Sequence, residues 1–154
     1  TMYYDGAQTK LAKATLTRLS KMNRPFYMGL GYFRPHLPFA VPKKYWDLYD
    51  PNKMPLANNN MIPDGAPLYS MNSMYELRSY DGFSHIGHPT SSYKMGEDTV
   101  RTLRQGYYAS VSYVDALLGD LISHLKKLKI YEIQLLLSGE IMDGNWVIII
   151  VGEK

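Results

Sequence analysis

Three prolines within eight residues constrain the fold of this chain more than any other feature. Pro35, Pro38 and Pro42 each fix φ and remove a backbone donor, so neither a helix nor a strand can run through them. They follow the uncharged, β-prone run from Pro25 to Tyr32, which predicts a buried strand covered on both faces. The sequence therefore predicts a strand that ends in a stiff, irregular loop.

His36 lies in this loop, between two of the prolines. In open α/β sheets ligands gather outside the carboxyl ends of the strands, so a His held between two prolines there is placed for chemistry, although position alone does not assign a catalytic role. The residues alone leave a second interpretation open, in which His36 is a polar loop residue bonded to a backbone carbonyl. Arg34 is the candidate anion ligand beside it, because a guanidinium can grip an oxyanion through two N–H groups. Lys43 and Lys44 are interpreted as solvated surface residues.

A helix is predicted before the strand, from Ala7 to Lys21, with Asp5 as its cap. A helix that feeds a strand in this way is typical of a doubly wound α/β sheet. The apolar stripe predicted to face the core consists of Leu11, Ala14, Thr15, Leu16 and Leu19.

A long amphipathic helix is predicted from Glu97 to Leu128, with Asp98 as a cap at its start. A short helix is predicted from Pro42 to Tyr49. Residues 50–95 between them lack sustained periodicity and are predicted to be irregular. The stripe predicted for the long helix consists of Val100, Leu103, Tyr107, Val111, Val114, Leu118, Leu121 and Leu125.

Composition excludes several classes of function. The chain has no cysteine, so neither a disulfide framework nor a thiolate metal site is possible. The net charge of +3 and the absence of a long basic block argue against nucleic acid or an anionic membrane as a partner. No long apolar span and no basic-then-apolar amino terminus is present, so we expect no membrane helix and see no export signal. The 14 tyrosines suit a sugar-binding surface, and a tyrosine-rich core margin accounts for them equally well.

Three segments together carry a family resemblance: PFYMGLGYFRPHLPFAVPKKYWDLYDPNKMPLANN, then PDGAP, then RQGYYASVSYVDALLGDLISHLKKL. Over roughly Tyr4 to Glu132 the chain resembles a type I sulfatase, within the iduronate-2-sulfatase branch. The resemblance implies an alkaline-phosphatase-like α/β fold, a calcium ion, and a formylglycine made from Cys or Ser. It also implies that His36 matches the sulfate-binding histidine of the family. Family members are several times longer and are usually exported to the periplasm, the medium or the lysosome.

The resemblance fails at the end of the chain. Residues 1–132 are predicted to be the central part of a sulfatase catalytic domain, and residues 133–154 an aberrant tail. The family continues there with a strand such as NTIVVIWG and the D-H-G-W metal segment, whereas this tail has no D-H-G. One base lost just before Ile133 explains the difference, because restoring it permits NTIVVIWGDHGWKLG. Met142 followed by Asp143 forces the Gly of D-H-G in the restored frame.

The tail itself is apolar. Ile133 to Leu137 could occupy a strand position by hydrophobicity, and Trp146 to Val151 is predicted to be either an improvised strand or an aggregation-prone segment.

These departures limit the expected activity of the chain. Ser20 to Arg24 spells S-x-x-x-R, but Met22 stands where the family's maturation motif has Pro or Ala, so no formylglycine is assigned there. His85 and His88 are not interpreted as a metal pair, since Gly87 and Pro89 disfavour the helix that would align them. The resemblance implies that a longer parent protein, of which this chain is a part, hydrolyses sulfate esters on a sulfated sugar. These 154 residues are expected to be inactive by themselves. Two alternatives stay open: a phosphoester or phosphonate hydrolase of the same superfamily, and a non-catalytic sugar-binding or structural fragment.

Overall fold

The computed structural model describes residues 3–22, 24–59, 62–88, 94–130, 134–141 and 145–152. Ile133, Met142 and Asp143, on which the frame hypothesis depends, lie outside the described residues. The elements in chain order are α1 (Tyr4–Leu19), β1 (Phe26–Tyr32), α2 (Lys43–Trp46), α3 (Tyr75–Ser79), α4 (Glu97–Lys127), β2 (Gln134–Ile141) and β3 (Asn145–Gly152), with short 3-10 turns at Pro51–Lys53 and Leu68–Ser70.

The three strands form one antiparallel sheet in the order β1-β3-β2. The register pairs Phe26 with Gly152 and Tyr32 with Trp146, so β3 lies between the other two strands. The strands that the structure describes therefore do not form the expected doubly wound arrangement, which needs parallel strands. Only residues 142–144 connect β2 to β3, and a parallel pair requires a crossover of about a dozen residues or more.

Strand β1 forms where it was predicted, but its burial differs from the prediction. The residues alternate between less and more exposed along the strand, with Leu30 and Tyr32 buried and Tyr27 67% exposed. Alternation of this kind is typical of an antiparallel sheet with one covered face, since successive side chains point to opposite sides. The prediction of a strand covered on both faces is wrong for the described chain.

The main core lies between α1, α4 and the covered face of β1. Its buried members are Ala12, Leu16, Leu30, Tyr32, Val114, Leu121, Leu125 and Ile130. The face that α1 buries differs from the predicted apolar stripe, because Leu11 is 63% exposed while Asp5 and Thr9 are buried. The buried positions Asp5, Thr9, Ala12 and Leu16 still recur at helical spacing.

Helix α4 confirms the predicted long helix to within one residue at its carboxyl end. Its amino-terminal cap is Gly96, so Asp98 lies in the first turn and is not the cap; an acid there still opposes the positive end of the helix dipole. The predicted stripe is correct from Val114 onward. In the first half the buried residues are instead small, at Gly106, Ala109 and Ser110.

A second core cluster forms where these small residues lie. Val41, Ala109 and Tyr113 are buried there, with Tyr45 and Trp46 packed against them. Helix α2 is shorter than the predicted Pro42 to Tyr49 segment and follows Pro42 directly. Among the residues that the structure describes, no helix combines the length and apolar character that a membrane crossing requires.

Candidate functional site

The loop after β1 is tied to the start of α1 by one buried carboxylate. Asp5 Oδ1 accepts the backbone N–H of Phe33 at 2.8 Å, and Oδ2 accepts that of Arg34 at 3.2 Å. The predicted helix cap is therefore a bridge to the loop. Proline-rich loops lack regular partners for their backbone donors, and a carboxylate with two acceptor oxygens satisfies two of them at once.

One turn further along α1, Thr9 joins the helix to the last residue of β1. Its hydroxyl donates to the carbonyl of Asp5 at 2.9 Å and lies 2.8 Å from the Tyr32 hydroxyl. Thr9 has a single hydroxyl hydrogen, so Tyr32 is the donor in the second bond. Burial raises the pKa of Tyr32 above its ordinary value. The two contacts fix the point at which the strand ends and the candidate site begins.

Arg34 braces the loop from inside. It is 9% exposed; its Nε donates to the carbonyl of Ala40 and its Nη1 to that of His36, both at 3.3 Å. The N–H of His36 in turn donates to the Phe33 carbonyl at 2.9 Å. The peptide bonds before Pro35 and Pro38 are cis. Two of the predicted site residues, Arg34 and His36, are thus brought into direct contact.

The imidazole of His36 lies beyond the carboxyl end of β1, in the irregular loop. Its side chain is 26% exposed, so the ring is held by the protein and remains accessible. Nδ1 lies 2.7 Å from the carbonyl oxygen of Leu37 and 3.5 Å from Glu76 Oε1. A loop histidine bonded to a backbone carbonyl was one of the two interpretations from sequence, and the contact with a carboxylate is an addition to it.

Glu76 and Tyr80 are members of this cluster that sequence reasoning missed. Both belong to the segment predicted to be irregular, where α3 forms and Met74 precedes it with a positive φ of 51°. The Tyr80 hydroxyl donates to Glu76 Oε1 at 2.9 Å. Burial and this bond raise the pKa of Tyr80, and the charge of Arg34 opposes the shift. The four-residue spacing of Glu76 and Tyr80 was the available signal, since such pairs share one helix face.

A cavity of about 370 Å³ adjoins the cluster. Its lining is almost wholly apolar and includes Leu37, Phe39, Trp46 and Leu77. Two hydroxyl groups in the lining, those of Thr102 and Tyr80, are already bonded within the protein. Apolar side chains of the loop, including Leu37 and Phe39, therefore line this cavity together with Trp46 and Leu77.

The other basic candidates lie apart from this cluster. Lys43 pairs with Asp47 on the surface, and Lys44 lies 4.8 Å from the centre of the Tyr45 ring. His85 and His88 are exposed in the loop region. Within the described ranges, no three His, Cys, Asp or Glu side chains lie together in a way that could hold a metal ion. The described residues therefore do not fit a calcium site built on three such side chains.

Comparison with known proteins shows where this arrangement belongs. The family model described as Sulfatase matches residues 1–136. The chain belongs to the sulfatase family. The matched residues include the whole loop after β1, with Arg34 and His36. Membership implies an α/β fold of the alkaline-phosphatase type for the family domain.

Individual relatives of this sulfatase chain support the same assignment. It is 32% identical to "Iduronate 2-sulfatase" of Homo sapiens over 126 residues, which cover 82% of the chain and 23% of the relative. It is 29% identical to "Choline-sulfatase" of Rhizobium meliloti over 142 residues, 88% of the chain and 26% of the relative. It is 28% identical to "Multifunctional alkaline phosphatase superfamily protein PehA" of Trinickia caryophylli over 103 residues, 66% of the chain and 20% of the relative. The chain spans about a quarter of the length of the curated relatives it matches.

Proposed function

We propose that residues 1–132 are the central part of the catalytic domain of a sulfuric ester hydrolase. The substrate proposed is a sulfated sugar of a polysaccharide, as expected for the iduronate-2-sulfatase branch. The observation that carries the proposal is the accessible imidazole of His36, held beyond the carboxyl end of β1 in the P-H-x-P loop. The identity to "Iduronate 2-sulfatase" of Homo sapiens supports this branch.

In this proposal His36 is the catalytic residue and contacts the sulfate or the leaving oxygen. A protonated imidazole placed there donates a hydrogen bond to an oxygen on which negative charge develops, and fixed donors of this kind stabilise such charge strongly. Arg34 is proposed as a second ligand of the sulfate. Two of its donors are bonded to the backbone carbonyls of Ala40 and His36, so its charge is held within the loop that carries the imidazole.

Calcium and formylglycine, which the family uses, are proposed to be held by other parts of the parent protein. The chain has no cysteine, and the described residues do not fit a calcium site. No step of the reaction is assigned to either group in this chain. We therefore expect the 154-residue chain to be inactive by itself.

We also propose that residues 133–154 are a frameshifted reading of the segment that carries D-H-G in the family. The family match ends at residue 136, close to the proposed junction. The genetic code supports it independently, since several restored residues follow from the code alone. The last base of the single Trp146 codon, followed by the first two bases of Val147, spells Gly at position 147 of the restored frame. The last base of either Asn145 codon, followed by the first two bases of the Trp146 codon, spells Leu at position 146. Sequencing the source DNA decides the matter, and an uninterrupted frame without a missing base would contradict this proposal.

Two assays test the function. The full-length parent is expected to hydrolyse an aryl sulfate faster than the matching aryl phosphate, and His36→Ala is expected to remove most of that activity. His85→Ala, an exposed histidine outside the cluster, is the control. Preference for the phosphate would favour the phosphoester hydrolase, a candidate supported by the likeness to the alkaline phosphatase superfamily protein. Turnover by the 154-residue chain alone would contradict its expected inactivity.

If the parent hydrolyses neither ester, a glycan-binding assay on the chain, with His36→Ala as its control, separates a sugar-binding module from a structural segment. Binding that depends on His36 would indicate the former.

A further inference from the structure

We propose that Glu76 is a positioning residue for His36, and that the two residues together direct Nε2 of the imidazole to the substrate. The inference deepens the proposed function and rests on it. It concerns a residue outside the resemblance motifs, on a helix that the sequence did not predict.

Two acceptor oxygens lie close to Nδ1 of His36. The carbonyl oxygen of Leu37 lies 2.7 Å away and Glu76 Oε1 lies 3.5 Å away. A carbonyl and a carboxylate are both acceptors, so the nitrogen between them must carry the hydrogen. Nδ1 is therefore protonated in the neutral ring as well as in the charged one.

The other nitrogen of His36 is left for chemistry. In the neutral ring Nε2 carries the lone pair and can accept a proton, and in the charged ring it carries a hydrogen and can donate to an oxyanion. A histidine fixed in one tautomer by its second nitrogen is a recurrent arrangement for acid and base catalysis.

Both sides of the contact are held in place. Tyr80, the residue directly after α3, donates its hydroxyl hydrogen to the same oxygen, Glu76 Oε1, at 2.9 Å, so the carboxylate is held at the end of its own helix. On the loop, Arg34 Nη1 donates to the carbonyl of His36 at 3.3 Å. The Glu76 side chain is 46% exposed, and pairs of this exposure contribute little to stability, so its removal is expected to act on the ring and not on the fold.

Nitrogen NMR of the 154-residue chain, labelled with ¹⁵N-histidine, tests the assignment without any turnover. At a pH where the ring is neutral, two-bond ¹H–¹⁵N correlations report which nitrogen carries the hydrogen. We expect His36 to show Nδ1–H and a lone pair on Nε2. Glu76→Ala is expected to keep Nδ1–H as the major form, because the Leu37 carbonyl still accepts that hydrogen, and to raise the share of Nε2–H, the tautomer that a free histidine side chain favours. Tyr80→Phe is expected to raise that share less. Glu97→Ala, which removes an exposed acid on α4, is the matched control and should leave the pattern unchanged.

An Nε2–H pattern in the wild-type chain would overturn the proposal, and so would an unchanged His36 pattern in Glu76→Ala. Unchanged signals of His85 and His124 in the variant would show that the fold is intact.

Kinetics of the full-length parent give the second readout. We expect Glu76→Gln to lower kcat about 10- to 100-fold with little change in KM, because it acts through His36 and not through substrate binding. A change confined to KM would contradict the positioning role. A wild-type parent with no sulfatase activity, together with the Nδ1–H pattern, would overturn the proposed function alone.

Discussion

The carboxylate of Asp5 accepts the backbone N–H of Phe33 at 2.8 Å, across 28 residues of chain. Its other oxygen accepts the N–H of Arg34, two residues before His36. Asp5 is 2% exposed, and its burial is balanced by these two charge-assisted bonds. The position of the candidate catalytic loop therefore depends on a residue in the first turn of α1.

Replacing this carboxylate is expected to destabilise the chain. In Asp5→Asn one acceptor becomes an amide donor that faces a backbone N–H, which leaves a buried donor without a partner. We expect the free energy of unfolding in urea to fall by about 1–3 kcal/mol. Asp120→Asn is the matched control: its partner is Lys13 on the surface, and such pairs contribute about 0–1 kcal/mol. Equal effects of the two variants would show that Asp5 does not hold the loop.

The bond between Thr9 and Tyr32 predicts an asymmetry between its two partners. Tyr32 donates and Thr9 accepts, so Tyr32→Phe removes a donor while Thr9 keeps its bond to the Asp5 carbonyl. We expect a loss of about 0.5–1.5 kcal/mol. Thr9→Val instead leaves the buried Tyr32 hydroxyl unpaired and is expected to lose about 1–3 kcal/mol. Urea denaturation of both single variants and the double variant measures the difference, and a larger loss for Tyr32→Phe would reverse the assigned direction of the bond.

The raised pKa of Tyr32 predicts how stability depends on alkaline pH. Burial favours the neutral hydroxyl in the folded state, so the unfolded chain releases this proton first as pH rises. The contribution of the neutral Tyr32 hydroxyl to the free energy of unfolding is fully present below the ordinary tyrosine pKa of about 10. It is lost as the pH rises through the higher pKa of the folded state. Burial also raises the pKa of Tyr113, so the wild type is compared with Tyr32→Phe. Stability should fall less steeply above pH of about 10 in the variant, and parallel curves would contradict the prediction.

The sequence predicted where the principal elements lie better than which faces they bury. The predictions of β1 before the prolines and of the long helix α4 are confirmed, because an uncharged β-prone run and a sustained helical period are strong local signals. The buried face of α1 was predicted correctly at Leu16 but not at the other positions of the stripe. Asp5 and Thr9 are polar, and they are buried only because Phe33, Arg34 and Tyr32 supply partners that lie far along the chain.

The part of the candidate site that depends on local sequence was also predictable. The position of His36 follows from the prolines around it, and the structure places it at the predicted strand end. Glu76 could not be assigned, since its role depends on how a segment without periodicity folds back over the loop. The order of the strands was also out of reach, because β3 pairs with β1, which lies far from it in the sequence.

Two glycines of α4 provide the sharpest test of the packing beneath the loop. A Cβ at Gly106 would lie 2.7 Å from both Phe39 Cδ2 and Trp46 Cη2, so the small residue permits these rings to reach the helix. Alanine favours a helix over glycine by about 1 kcal/mol, but a clash with two packed rings costs about 1–3 kcal/mol, so we expect Gly106→Ala to be neutral or destabilising. Gly119→Ala is the matched control on the same helix. Nothing lies within 4 Å of the added Cβ there, so the full stabilisation of the helix by alanine should appear.

Both variants are compared with wild type by urea denaturation. Equal stabilisation by the two would mean that Phe39 and Trp46 do not pack on α4 at this position, and the wall of the cavity beside His36 would have to lie elsewhere.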